Sequence, residues 1–345
     1  MKIIKKILKN NIYYIINLKK KSYFTLKINV IVMNKKILAF VAIFLLVIGG
    51  ITLYFTMRPS DDTIIIGHLA SDHDAAIYVA EAQKQYEAQG LKVETVQFNN
   101  GGDLITAMAS GDVKVGYVGI TPLLSAIENG VPVKIVSGTQ LGGSGIVVRS
   151  DSNITSLKDL KGKKVATPGA ATIQNMILTY GLNQSGVNTK DVEIISMKAA
   201  QMKDALNAGQ IDAMICWEPY ASIAVEKGNG KLLENTTQII PNHPCCVVVA
   251  REDFIKNHPK ELKKILAIHE NATKFANENP KEAAKALPED IVPDKNLQTD
   301  IISDTQYIYG LDDDYKQSVI DFMQLGVDLG LYKETADENE IFAEV

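Results

Sequence analysis

From residue 63 onward, apolar and polar positions follow two alternating rhythms. The β-branched run TIIIG at 63–67 reads as a buried strand, and 75–89 carries apolar residues at helical spacing until Gly90 stops it. The strand-like LKVETVQF follows, then the loop NNGGD feeding a helix that ends at Gly111. VKVGYVG, a helix over 121–129 and VPVKIVSGTQ continue the pattern. It restarts with a strand at 164–167 and a helix from about Thr172. DVEIISM, the helix AAQMKDALNAG, the strand IDAMICW, the helix PYASIAVEKGNG and the short strand KLL come next. From Pro259 the pattern is helical only. Strands alternating with helices at this spacing predict βαβ units and a largely parallel sheet. Residues 104–126 and 202–224 share a helix ending in glycine, a strand, and a proline about ten residues on, Pro122 or Pro219. Two lobes of like construction are the reading preferred over chance similarity between two βα units.

The N-terminal part is patterned differently. Residues 37–57 carry no charge, and about 20 apolar residues suffice to span a hydrocarbon core of roughly 30 Å. Lys35 and Lys36 precede the run, and Arg58, Asp61 and Asp62 follow it. The positive-inside bias then places residues 1–36 in the cytoplasm and everything after about residue 60 outside. A secretory signal is the competing reading, but no small-x-small pattern closes the run and no cysteine lies near it to take a lipid. A single-pass anchor in the cell membrane with an extracytoplasmic domain is expected. Residues 1–32 precede a second candidate start at Met33, so they are either an artefact of start-site choice or a basic amphipathic segment on the inner leaflet.

Composition narrows the function. The 345 residues carry 36 basic and 40 acidic side chains, interspersed, with a formal net charge of −4 and no basic patch threaded with aromatics, which argues against a nucleic-acid partner. Three cysteines, Cys216, Cys245 and Cys246, are too few for a disulfide framework, and the length predicts two globular lobes. His258 and His269 fall on a charged helix and read as solvated surface. No nucleophile elbow, phosphate loop or His-Glu-x-x-His motif occurs.

In open α/β sheets ligands sit beyond the carboxyl ends of strands, where helix N-termini gather unpaired N–H groups. Those ends offer Ser71, His73 and Asp74 after the first strand, and Asn99, Asn100, Gly101 and Gly102 after the second. Tyr117 and Thr121 follow the third, and Thr139 and Gln140 a later one. In the second half Pro168, Ala170 and Thr172 lie in TPGAAT, and Trp217, Glu218 and Tyr220 in WEPY. Pro219 suits a first helical turn, Glu218 suits the helix dipole, and Trp217 with Tyr220 presents aromatic faces. A capped helix with a buried tryptophan is the plainer reading of the same four residues.

LKDLKGKKVATPG, ALNAGQIDAMICWEPYASIA and the long segment GHLASDHDAAIYVAEAQKQYEAQGLKVETVQFNNGGDLITAMASGDVKVGYVG together resemble the solute-binding subunit of ABC importers of the nitrate, sulfonate and taurine class. The likeness runs over about 63–330. It implies a two-lobed periplasmic-binding-protein fold, each lobe a mostly parallel sheet flanked by helices, preceded here by one transmembrane helix. Lobe 1 would be 63–140 and 247–330, lobe 2 148–241, with hinges near 139–148 and 241–247. Gly142, Gly143 and Gly145 would lend the hinge its freedom. A monomer would close on a small solute and present it to a permease and its ATPase, without chemistry and without a cofactor.

The proposed loops hold little Lys or Arg, so an oxyanion would lean on backbone N–H groups, while Glu218 argues for an amine; a zwitterion such as taurine suits both. A ring stacked on Trp217, as in a pyrimidine or another vitamin precursor, is the alternative. Relatives of this fold also include pyrimidine-forming enzymes that use a histidine and a cysteine-rich motif. His73 with HPCC resembles a degenerate version, but the cluster is shorter and an anchored external location suits capture better. Cys245 and Cys246 close after His243 invite a metal reading, yet closed zinc sites draw on two separated pairs, so no metal is expected. A buried structural role, or contact of Cys245 with the solute, is expected instead. A sensor using the same module is disfavoured by the short cytoplasmic part.

Overall fold

The computed structural model describes residues 63–345 and the backbone of three N-terminal strands. Those strands, β1 (Ile4–Leu8), β2 (Asn11–Asn17) and β3 (Tyr23–Asn29), form an antiparallel meander in a unit of their own. Strand backbone therefore stands where a basic amphipathic segment was one expectation. The apolar run 37–57 lies outside the described residues, and among those described no helix is long and apolar enough to cross a membrane.

The remainder is built on two sheets. The first contains β4 (Ile64–Leu69), β5 (Val93–Phe98), β6 (Val115–Gly119), β7 (Val133–Leu141), β13 (Pro244–Arg251) and β14 (Gln306–Tyr307), in the order β14-β7-β13-β6-β4-β5. The second contains β8 (Ser144–Arg149), β9 (Lys164–Thr167), β10 (Glu193–Ser196), β11 (Ala213–Trp217) and β12 (Gly230–Asn235), in the order β10-β9-β11-β8-β12. Helices separate β4, β5 and β6, and these three strands run parallel, as do β9, β10 and β11.

The sheets are nonetheless mixed, which corrects the expectation of mostly parallel ones. β13 is antiparallel to both β6 and β7, β8 is antiparallel to both β11 and β12, and β14 is antiparallel to β7. The cause is the crossing. β7 ends at the carboxyl edge of the first sheet, and only Gly142 and Gly143 separate it from β8 in the second. A chain that enters a sheet at its carboxyl edge can only run back against the βα strands. The same logic reverses β13 on the return, and it sets the first residues of β8 and β13 beside the ends of β4, β6 and β11.

Local sequence explains the helices. Asn100, Thr172 and Asp312 each cap a helix by accepting a backbone N–H three residues on. The expected helix over 75–89 is broken in two, Ala75–Ala82 and Gln85–Ala88, by Lys84 in the left-handed region at φ 54°. Its first piece is buried from Ala75 through Ala80 and packs on the long helix Pro259–Glu278. His269 lies in that second helix but is buried, with Nε2 2.9 Å from the Gly138 carbonyl and its ring edge-on to Tyr117. The charged residues around it conceal an inward position, so the surface expectation for His269 fails; His258 is exposed as expected.

Gly142 (φ 63°) and Gly143 (φ 85°) both occupy left-handed backbone. A Cβ on Gly143 would stand 2.5 Å from His73 Nε2, and one on Gly142 2.4 Å from Thr237 Cγ2. Gly143→Ala should therefore destabilise by roughly 2 kcal/mol or more, the left-handed penalty plus the clash. Chemical denaturation of the two proteins side by side checks this; an unchanged midpoint would show that the crossing relaxes freely.

Candidate functional site

Where the two sheets face each other, residues from both line a cavity with a water-accessible volume of ≈ 50 Å³. The first sheet supplies Leu69, Ser71, His73 and Asp74 after β4, Asn100 and Gly101 after β5, and Tyr117, Gly119 and Pro122 at and after β6. Cys245 and Cys246 come from the start of β13. The second sheet supplies Pro168, Thr172, Ile173 and Gln174 after β9, and Trp217 at the end of β11. The cavity is thus met by the N-termini of the helices Gly101–Ser110 and Ile173–Gln184, whose first-turn N–H groups favour negative charge.

One carbonyl ties the walls together. The Gly143 oxygen accepts from Glu218 N at 3.0 Å and lies 2.8 Å from His73 Nε2. Ser71 Oγ donates to the Glu218 carbonyl at 3.1 Å and accepts from His73 N at 3.1 Å. Gln174 Nε2 donates to Ser144 Oγ at 2.9 Å, while Thr236 Oγ1 donates to the Ser144 carbonyl at 3.1 Å. The two crossings also meet directly, Gly142 N donating to the His243 carbonyl at 3.1 Å.

Electrostatically the cavity is short of fixed charge, since no Lys or Arg among the described residues lines it. Burial pushes the carboxyls of Asp72 and Asp74 up to about 7, although Asp74 Oδ2 accepts from Leu69 N at 2.8 Å. Burial opposes a charge on His73, but Cys246, the Gly143 carbonyl and Asp74 outweigh it and raise its pKa. Its Nδ1 lies 3.6 Å from Cys246 Sγ and 3.8 Å from Cys245 Sγ. Trp217 lines the cavity, and its buried Nε1 has no hydrogen-bond partner among the described residues.

Of the residues expected from sequence, the structure gathers Ser71, His73, Asp74, Asn100, Gly101, Tyr117, Pro168, Thr172, Trp217 and Cys245 around this cavity. Asn99 and Tyr220 instead line an adjoining hollow of ≈ 500 Å³ that shares Leu69, Asn100, Pro168 and Trp217 with it. Glu218 lines a separate polar groove, where its Oε2 accepts from Ser222 N at 3.0 Å, so its carboxylate serves the helix Tyr220–Glu226. Pro219 is the N-cap of that helix rather than part of its first turn.

Thr121, Thr139 and Gln140 are buried outside the lining, Thr139 bonding to Gln140, and Gly102 and Ala170 are exposed. Leu69, Gly119, Pro122, Ile173, Gln174 and Cys246 also line the cavity, none of them expected as a solute contact. Gln174 is the one among them with a readable signal, a polar residue one position inside a helix start.

A profile described as the NMT1-like family matches residues 58–289. The taurine-binding periplasmic protein of Escherichia coli (strain K12) is 31% identical over 191 residues, 54% of this chain and 58% of that protein. Among solved structures, the alkanesulfonate-binding protein SsuA from Xanthomonas axonopodis pv. citri, bound to MOPS, superposes with a TM-score of 0.73 at 18% identity, covering 82% of this chain and 99% of that one. The periplasmic nitrate-binding protein NrtA from Synechocystis PCC 6803 gives 0.68 at 19%, covering 83% and 87%. These relatives are binding proteins rather than enzymes.

His269, packed behind Tyr117, provides a pH test. Burial lowers its pKa from 6.5 to about 4 against the pull of the Gly138 carbonyl. Below pH 6.5 the unfolded chain takes up the proton that the folded one refuses, so stability falls as pH drops from about 6.5 to about 4. A shift of this size corresponds to roughly 3 kcal/mol. His269→Gln should remove this part of the slope, so the stability gap between wild type and variant narrows towards pH 4 in denaturant titrations. Parallel pH profiles would refute the assignment.

Proposed function

The chain belongs to the NMT1-like family, and from that premise we propose that it is the extracytoplasmic solute-binding subunit of an ABC importer. It captures a small sulfonate-, taurine- or nitrate-like solute between its lobes and performs no chemistry on it. The observation that carries the reading is the cavity itself, walled by the carboxyl ends of strands from both sheets, with Trp217 Nε1 unpartnered and two helix N-termini at its wall. An oxyanion would take those N–H groups without needing a cation.

The names of the relatives support the same solute class. The water-accessible volume of ≈ 50 Å³ favours a compact head group over a large ring system, and the aliphatic part of a solute would extend towards the adjoining hollow.

The lobes are 63–140 with 247–330, and 148–241. They swing about the crossings at 139–148 and 241–247, where Gly142, Gly143 and Asn242 all hold positive φ. The uncharged run 37–57 after Lys35 and Lys36 supports a single-pass anchor that keeps a monomeric binding domain beside its permease and ATPase.

Thermal melting of the purified chain with taurine, short alkanesulfonates, nitrate and pyrimidines tests this. A true solute at about 100 times its dissociation constant adds roughly 2.7 kcal/mol. Trp217→Ala should weaken solute binding at least tenfold while moving the melting temperature of the free protein little. A large loss of stability with unaltered affinity would return Trp217 to a purely structural role, and a panel without any shift would remove the solute class.

A further inference from the structure

We propose that His73, Cys245 and Cys246 form a site for a closed-shell thiophilic metal ion, Zn²⁺ or Cu⁺, on the wall of the cavity. Their ligand atoms lie within 4.8 Å of one another and all three residues are buried. His73 Nδ1 is 3.6 Å from one sulfur and 3.8 Å from the other. A metal about 2.0 Å from nitrogen and about 2.3 Å from each sulfur, at tetrahedral to trigonal angles, requires N···S edges of roughly 3.5 to 3.7 Å. Both N···S edges are therefore within a few tenths of an ångström of coordinating geometry, and the two sulfurs lie within 4.8 Å of each other.

Two features of the fold set up this triangle. Adjacent residues of a regular strand point to opposite faces, so neighbouring cysteines should not share a ligand. Here the ladder between β13 and β7 is irregular: Pro244 pairs with Leu141 and Cys246 with Gln140, leaving Cys245 outside the register, and a second shift follows between Cys246 and Val247. Bulges of this kind re-aim side chains, and both thiols turn to the same imidazole.

The imidazole is itself oriented. Its Nε2 faces the Gly143 carbonyl at 2.8 Å, which places the ring proton there and leaves the Nδ1 lone pair facing the sulfurs. A carbonyl behind the histidine is the usual support for a metal-bound ring.

One nitrogen and two thiolates favour zinc or cuprous ion over magnesium or calcium. On binding, each thiol that becomes a ligand releases its proton to solvent. The protein supplies three ligands, and because all three residues line the cavity, a fourth position can open towards it. The sequence-based objection, that a second cysteine pair is lacking, loses its force because His73 arrives from 172 and 173 positions away. The proposal stands on this geometry and does not need the solute assignment.

The test uses the full chain, reduced, metal-free and under anaerobic conditions. Cobalt(II), a spectroscopic stand-in for zinc, should produce thiolate-to-metal charge-transfer absorption saturating at one ion per chain. Competition against chromophoric chelators, in separate zinc and copper(I) arms, identifies which ion is held more tightly. Cys246→Ser should weaken binding of that ion by at least about 100-fold. Cys216→Ser, at a thiol buried in the second sheet's core, should leave it unchanged. Circular dichroism reports whether each variant folds.

Absence of the charge-transfer band in folded wild type, with neither zinc nor copper(I) retained at one per chain, overturns the proposal. Equal binding by a folded Cys246→Ser variant does so too. If that variant does not fold, the wild-type cobalt spectrum and stoichiometry decide alone. The metal arms contain no solute and the solute panel no metal, so either reading can fail by itself.

Discussion

The chain passes from its first sheet to its second in two residues, Gly142 and Gly143, and the layout of the cleft follows from that shortness. A connection this brief must leave one carboxyl edge and enter at the other, which forces β8 to run against its neighbours. The return strand β13 obeys the same geometry in the first sheet. Strand beginnings thereby join strand ends at one place, and residues from six separate strand termini converge without a long loop. The glycines also expose a bare carbonyl. Gly143 O is shared by His73 from the first sheet and by Glu218 N from the second, so one peptide oxygen in the crossing joins both sheets.

That convergence produces an unusual electrostatic setting. Neither Lys nor Arg lines the cavity, and its nearest acids are buried enough that they hold protons up to about pH 7. Neutral or half-neutral carboxyls repel an anion far less than ionised ones, and the low local polarity strengthens each N–H dipole that faces it. For an anion of the proposed kind, the donors on offer are the first-turn N–H groups of the two helices, beside a Trp217 whose Nε1 is unpartnered among the described residues. Glu218 fits this scheme by facing away: its side chain caps a helix, while its backbone serves the cleft on both N–H and carbonyl.

Much of this was legible in the sequence because it is periodic. Apolar runs bounded by glycine located most strands, strand ends located nine of the cavity's lining residues, and the paired cysteines after His243 located a tenth, Cys245. The failures share a different cause, since each depends on contacts between distant segments. Strand direction at the crossings is set by where a two-residue link can reach, not by hydrophobic period. His269 sits among charged neighbours on its helix, and only the sheet behind it reveals that it faces inward. Cys246 was expected in a buried structural role, because nothing in the residues around it announces the irregular ladder that turns it to the cavity. Glu218 was read from its charge, whereas its local partner Ser222 N decides where the carboxylate goes.

The irregularity in β13 also links the site to the motion that the fold permits. His73 touches Gly143 through one ring nitrogen and faces the two thiols through the other. The imidazole is rigid, so its two contacts cannot be adjusted independently. A change at the cysteines that rotates the ring must lengthen or tilt its contact with the Gly143 carbonyl, and that carbonyl belongs to the crossing between the sheets. Conversely, the proposed swing of the second lobe, if it carries Gly143 away, would free the ring to leave the sulfurs. Left-handed backbone at Gly142 and Gly143 narrows the ways in which the crossing can absorb such a change locally. Under the proposed lobe closure the cavity wall and the crossing share this one side chain, so a group bound at Nδ1 would act on the same equilibrium as the proposed solute.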